Sequence, residues 1–92
     1  MEDGSSEKGS RSVRALEIME AIVDAGHPVS VADIMAATGL PKATAHRLCA
    51  VMEKDGYLAP DISGKGLNLG FRMRNLALGI MAMGGADAYR HQ

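Results

Sequence analysis

Aromatic side chains are scarce in this chain: one Phe, two Tyr and no Trp among 92 residues. Proteins that hold single-stranded nucleic acid by stacking bases on rings need more ring faces than that. A single cysteine, Cys49, excludes an internal disulfide framework and a four-cysteine zinc site, and it fits a reducing cytosol. The longest apolar run, Leu76 to Met83, is eight residues, whereas a bilayer-spanning helix needs about 20. No basic stretch followed by an apolar run opens the chain, so a secretory signal is not visible and membrane partners are not expected. The formal net charge is only −1, which excludes a polycationic tail.

Local absences of charge say more than the sum. Residues 34–52 contain no acid but hold Lys42, His46 and Arg47, and residues 62–86 contain no acid but hold Lys65, Arg72 and Arg74. Acid-free basic windows in a near-neutral chain point to a defined surface for an anionic partner. Hydrophobic residues make up 47% of the chain, enough for a packed core. A chain of this size buries only about 60% of its unfolded surface, so a large catalytic cleft and a full core do not both fit.

Residues 1–10 (MEDGSSEKGS) are Ser, Gly and charge, the composition of a disordered leader. From Ser12 the pattern becomes helical. Ala15, Leu16, Ile18, Met19, Ile22 and Val23 share one broad face, opposite Glu17, Glu20 and Asp24, and Gly26 ends a helix predicted over about 12–25. Ser30 and Asp33 mark the start of a short second helix over about 31–38, although Asp makes a weaker capping box than Glu. Gly39 stops it. Leu40 precedes a proline and so avoids the α region, and Pro41 suits the first position of a third helix over about 41–55. That helix has an apolar face of Ala45, Leu48, Cys49 and Met52, and an opposite face of Ala43, His46, Arg47 and Ala50. Solvated helix faces usually carry Glu–Lys pairs; two alanines beside a His and an Arg suit close approach to another surface. Residues 57–59 and 67–69 read as two short strands about a Gly-rich turn, with Pro60 marking an edge hairpin. A fourth helix over about 71–83 has a seam of Met73, Leu76, Ala77, Ile80 and Met83, while Leu78, Met81 and Ala82 make its other side apolar too. A helix apolar all round has to be buried, and the rest of the chain is too small to bury it, which implies a second copy packed through that seam.

The order helix, helix, four-residue turn, helix, hairpin, helix is a winged helix-turn-helix: mainly α with a small β-hairpin, plus a C-terminal linker or dimerisation helix. Its expected partner is double-stranded DNA. A major groove about 12 Å wide admits one α-helix, and the second helix braces the third so that its N-terminal residues face base edges. On this reading Arg47 contacts a base or phosphate, with no acid within four residues to pair it. Lys42 and Thr44, in the first turn of the third helix, suit phosphate oxygens; for Thr44 a local backbone hydrogen bond is an equal alternative. Ala43 suits contact with a thymine methyl, or serves only as a good helix former. His46 either donates to DNA or packs against the wing. Lys65, in the hairpin turn, reaches a phosphate or the minor groove, or is simply solvated. Arg72 and Arg74 are solvated or interface residues. His46 and Cys49 have a spacing that could ligate a metal, but with only two candidates nearby Cys49 is a buried structural cysteine and no metal or cofactor is expected. The stretch Gly64–Gly70 lacks the glycine and the Ser or Thr of a phosphate loop and belongs to the wing. No grouping of serine, histidine and acid suggests an enzyme. The alternative function is a winged helix used for protein–protein contact without DNA binding, which would place acids or large apolar groups on the outward face of the third helix.

Three stretches resemble the DNA-binding domain of IclR-type bacterial transcriptional regulators: Arg11 to Met19, Ala37 to Leu48, and Asp55 to Leu58. The similarity spans about residues 11–84. It implies an organisation of leader (1–10), winged helix-turn-helix (11–70) and linker helix (71–92), the last leading into a larger domain, absent from this chain, that binds a small organic effector. It also implies a cytoplasmic dimer or tetramer that represses or activates transcription, and it brings Arg14 toward DNA, unless Arg14 pairs with Glu17 or Glu20. Two departures stand out. Met35 replaces a small residue and Ala45 a β-branched one, and the two are expected to face each other with volume conserved. Asn68 stands where a basic residue is frequent, which weakens the grip of the wing.

Overall fold

The computed structural model describes residues 3–84, with side chains from residue 11 onward. Four helices and one hairpin follow in the order α1 (Asp3–Ala25), α2 (Val31–Thr38), α3 (Lys42–Lys54), β1 (Leu58–Pro60), β2 (Leu67–Leu69) and α4 (Phe71–Ala82). The winged helix-turn-helix architecture is the one the sequence predicts.

α1 departs from the prediction at its start. It begins at Asp3 rather than near Ser12. No proline interrupts the run, and extending a helix already anchored by packing is easier than nucleating one. Its apolar face also divides. Ile18, Met19 and Ile22 are buried, whereas Leu16 and Val23 remain exposed.

α2 begins on a complete capping box. The Ser30 hydroxyl accepts from the Asp33 N–H at 3.0 Å, and the Ser30 N–H donates to the Asp33 carboxylate at 3.1 Å. The shorter acid therefore closes the box in both directions. Three residues, Gly39 to Pro41, separate α2 from α3, and Pro41 is the N-cap rather than the first helical residue. Gly39 has φ +77°, where a side chain would be strained, and its N–H donates to the Met35 carbonyl at 2.8 Å.

β1 and β2 pair antiparallel in the register Leu58–Leu69, Ala59–Asn68 and Pro60–Leu67. Val29 adds a bridge on the far side of β2, its N–H donating to the Leu67 carbonyl at 3.1 Å and its carbonyl accepting from the Leu67 N–H at 2.7 Å. The hairpin is thereby tied to the loop before α2, and β1 with Pro60 is left at the edge.

One core unites these elements: Ile18, Met19 and Ile22 from α1, Val29, Ile34 from α2, Leu40 in the turn, Ala45, Cys49 and Met52 from α3, and Leu58 from β1. Met35 and Leu48 pack on its margin. α4 contributes no buried residue; Met73 alone of its side chains packs against the core, while Leu76, Leu78, Ile80, Met81 and Met83 are exposed in the single chain.

Candidate nucleic-acid interface

The outward side of α3 is built by what lies beneath it. Ala45 is fully buried, and Cys49 and Met52 nearly so. With that face against the core, Ala43, His46, Arg47 and Ala50 emerge on the other and are all exposed. The placement follows from the 3.6-residue period once one side is fixed. Leu40 plugs the core just ahead of the helix, and Thr38 holds the turn: its hydroxyl donates to the Ile34 carbonyl at 2.7 Å and accepts from the Leu40 N–H at 3.3 Å. The start of α3 is therefore anchored while its side chains face out.

The N-terminus of α3 has no side-chain cap, and its first backbone bond runs from the Ala45 N–H to the Pro41 carbonyl at 2.9 Å. The N–H groups of Lys42, Ala43 and Thr44 precede that bond, and no acid occupies the first turn. An uncapped helix N-terminus with positive charge beside it suits a phosphate oxygen. Lys42 is exposed and Thr44 half-buried. The Thr44 hydroxyl makes no hydrogen bond to another described residue, so the local backbone bond weighed for it is not formed. Among the described residues, no ion pair engages Lys42, His46, Arg47 or Lys65. His46 is exposed rather than packed under the wing.

Arg14 is engaged. Its guanidinium donates to the Glu17 carboxylate at 2.8 Å, both side chains being partly exposed. Such an exposed pair contributes only about 0.2–1 kcal/mol, weak enough for a phosphate to compete.

The wing is more ordered than its composition suggests. The Asp61 carboxylate accepts from the Ser63 N–H at 3.0 Å, from the Ser63 hydroxyl at 2.6 Å and from the Asn68 amide at 3.2 Å. The Ser63 hydroxyl, followed by the Ser63 N–H and Asn68, holds the Asp61 carboxyl below its ordinary pKa. Asn68, expected only as a weaker grip on DNA, is thus part of the hairpin's internal clasp. The Asp-x-Ser spacing is a local turn signal that could have shown this. Lys65 is exposed at the turn. Arg72 is exposed, as expected, and its guanidinium lies 4.6 Å from the centroid of the Tyr57 ring, joining the first turn of α4 to the segment before β1.

Cys49 is 3% exposed, and burial, with Glu53 adding to it, pushes its thiol pKa up. It lies in the core while His46 is exposed, and the described residues contain no group of three His, Cys, Asp or Glu placed to hold a metal.

The dimer seam expected on α4 divides in the structure. Met73 packs on its own chain, whereas Leu76, Ile80 and Met83 are 53%, 49% and 85% exposed, and Ala77 is exposed beside them. Exposed Leu16 and Val23 of α1 line a groove with Met19, Glu20, Asp24 and Met73, so the apolar surface continues from α4 onto α1.

The family model for the IclR helix-turn-helix domain matches residues 13–61, which take in α2, the turn, α3 and β1. The chain is 31% identical over 87 residues to the probable transcriptional regulator SauR of Cupriavidus necator, covering 95% of this chain and 34% of that protein. It therefore spans about a third of the length of this curated relative. No solved structure matches the chain. With a match over more than half of its length, the chain belongs to the IclR helix-turn-helix family of DNA-binding domains.

Proposed function

We propose that this chain binds a specific sequence of duplex DNA as one of a pair of copies, and that it is the DNA-binding part of an effector-responsive bacterial regulator of transcription acting in the cytoplasm. The observation that carries this is the exposed face of α3, where Arg47 and His46 stand between Ala43 and Ala50 without an acid to pair them. α3 enters the major groove, Arg47 contacts a base or phosphate, Ala43 lies near the groove floor, and Lys42 and Thr44 meet phosphate with the uncapped helix start. Lys65 reaches along the backbone from the wing, and Arg14 exchanges Glu17 for phosphate. The exposed apolar side chains of α4, from Leu76 to Met83 and including Ala77 and Ile80, pair the two copies, with Met73 at the inner margin. Two reading helices on one face of DNA then have centres about 10 bp apart or a multiple of it. The effector acts through a separate domain by altering the spacing of the two helices. The family membership and the similarity to a probable transcriptional regulator support this reading.

The experiment is selection of bound duplexes from a random pool, followed by affinity measurements across salt concentrations. Enrichment of a two-part site with steep salt dependence supports the proposal. Failure to enrich any sequence would reject it.

A further inference from the structure

At the turn of the wing stands a side chain that the major-groove contacts do not use. Ile62 is 102% exposed, more than any other large apolar residue described. It is not on a loose loop. On one side of it, the Asp61 N–H donates to the Gly66 carbonyl at 3.0 Å, and the Asp61 carbonyl accepts from the Gly64 N–H at 2.9 Å. On the other, Ser63 gives both its N–H and its hydroxyl to the Asp61 carboxylate, and its hydroxyl accepts from the Lys65 N–H at 3.2 Å. Both neighbours of Ile62 are held, and the branched side chain between them is presented to water. The one acid of the turn keeps its charge, with its oxygens accepting from Ser63 and Asn68 inside the hairpin. Lys65, exposed and unpaired among the described residues, supplies positive charge beside it.

We propose that Ile62 is an apolar probe for the minor groove, inserted there while Lys65 holds a flanking phosphate, so that the wing distinguishes A·T from G·C pairs beside the major-groove site. The proposal rests on the DNA-binding reading of α3. The minor-groove floor shows only acceptors at A·T pairs, and at G·C adds the guanine amino group, which obstructs an apolar side chain entering the groove. Isoleucine is among the side chains that wedge into minor grooves, and such wedges kink the duplex. A protein partner fits less well, because protein interfaces take patches of about 800 Å² per partner built around clustered anchors. Ile62 stands singly among Asp61, Ser63, Gly64 and Lys65; a narrow slot with charged walls suits that arrangement.

The test uses the full 92-residue chain and a duplex that this chain enriches from a random pool. Each A·T pair flanking the major-groove site is replaced by I·C or by G·C; I·C keeps the minor-groove face of A·T and the major-groove face of G·C. At the wing position, I·C should retain affinity and G·C should weaken it about tenfold, a typical cost for one wrong pair. Ile62→Ser should weaken binding to the parent duplex about as much and make I·C and G·C equivalent, leaving the salt slope unchanged because no charge is lost. Ile62→Leu should keep the discrimination, and Arg47→Ala should keep it too while losing preference elsewhere. Because Ile62 is fully exposed, its variants should melt with the parent protein. Wild-type binding by Ile62→Ser, or a loss of affinity with the I·C and G·C difference intact, overturns the wedge and leaves α3 recognition standing. Failure of the parent chain to enrich any duplex overturns both.

Discussion

Arg47 has Ala43 one turn before it and Ala50 one turn after, both exposed and neither long enough to block its approach to another surface. A guanidinium fork placed this way can bond guanine O6 and N7 together. Arg47→Ala should therefore weaken binding by about 1–3 kcal/mol and relax preference at one base pair. Titrations against the selected duplex and its single-pair variants measure both, and an unchanged affinity and profile would place recognition elsewhere. Cys49 is the opposite kind of residue. Its thiol is buried, with its pKa raised first by desolvation and then by Glu53, so near neutral pH it is the protonated, unreactive form. Alkylation should be slow in the folded protein and should accelerate with denaturant in step with unfolding; fast labelling of the native chain would contradict its place in the core.

Among the elements, α2 and the wing are both fixed by side chains of one to three heavy atoms beyond Cβ reaching their own backbone. Ser30→Ala removes half of the capping box and should cost about 1 kcal/mol, seen as a lower melting temperature with the same fold. In the wing, bonding to the ionised Asp61 places its pKa below the unfolded value. Its contribution to wing order is therefore complete above the ordinary carboxylate pKa and is lost as pH falls through the lower folded one. The amide resonances of Ser63 and Asn68 should titrate together below the ordinary Asp value of about 3.9. Titration at that value would mean that the clasp is open in solution. Gly70 joins wing to helix at a close approach: a Cβ there would run into the Gly56 carbonyl. α4 beyond it leaves Leu76, Leu78 and Met81 exposed, so Leu76→Glu should weaken self-association in sedimentation while leaving the monomer folded. A chain that stays monomeric at high concentration would remove α4 as the interface.

For the molecule as a whole, charge and shape separate the two proposed interfaces. Cations and an uncapped helix start lie on α3, and apolar side chains lie on α4 and the outer side of α1. DNA binding should therefore fall steeply with salt, as released counterions require, while pairing of the copies should be insensitive to salt or strengthened by it. A flat plot of log affinity against log salt would count against phosphate contacts on α3. The radius of gyration, 14.7 Å, exceeds the value of about 12 Å typical of a compact chain of this length, in keeping with a 23-residue α1 and an α4 that contributes nothing buried. Among the described residues no helix is long and apolar enough to cross a membrane.

Periodicity and caps determined the helix-turn-helix. The alternation of Ala45, Cys49 and Met52 with Ala43, His46 and Arg47 settled which side of α3 faces out, and Ser30, Gly39 and Pro41 marked its brace and turn, because those signals lie within a few residues of one another. Contacts between distant parts of the chain were decided only by the tertiary structure. The bridge from Val29 to Leu67 and the stacking of Arg72 on Tyr57 depend on how the chain folds back. So does the division of α1, where Ile18 and Ile22 found a core to cover them and Leu16 and Val23 did not. Hydrophobicity tells a residue to seek cover, but only packing says whether its own chain supplies it.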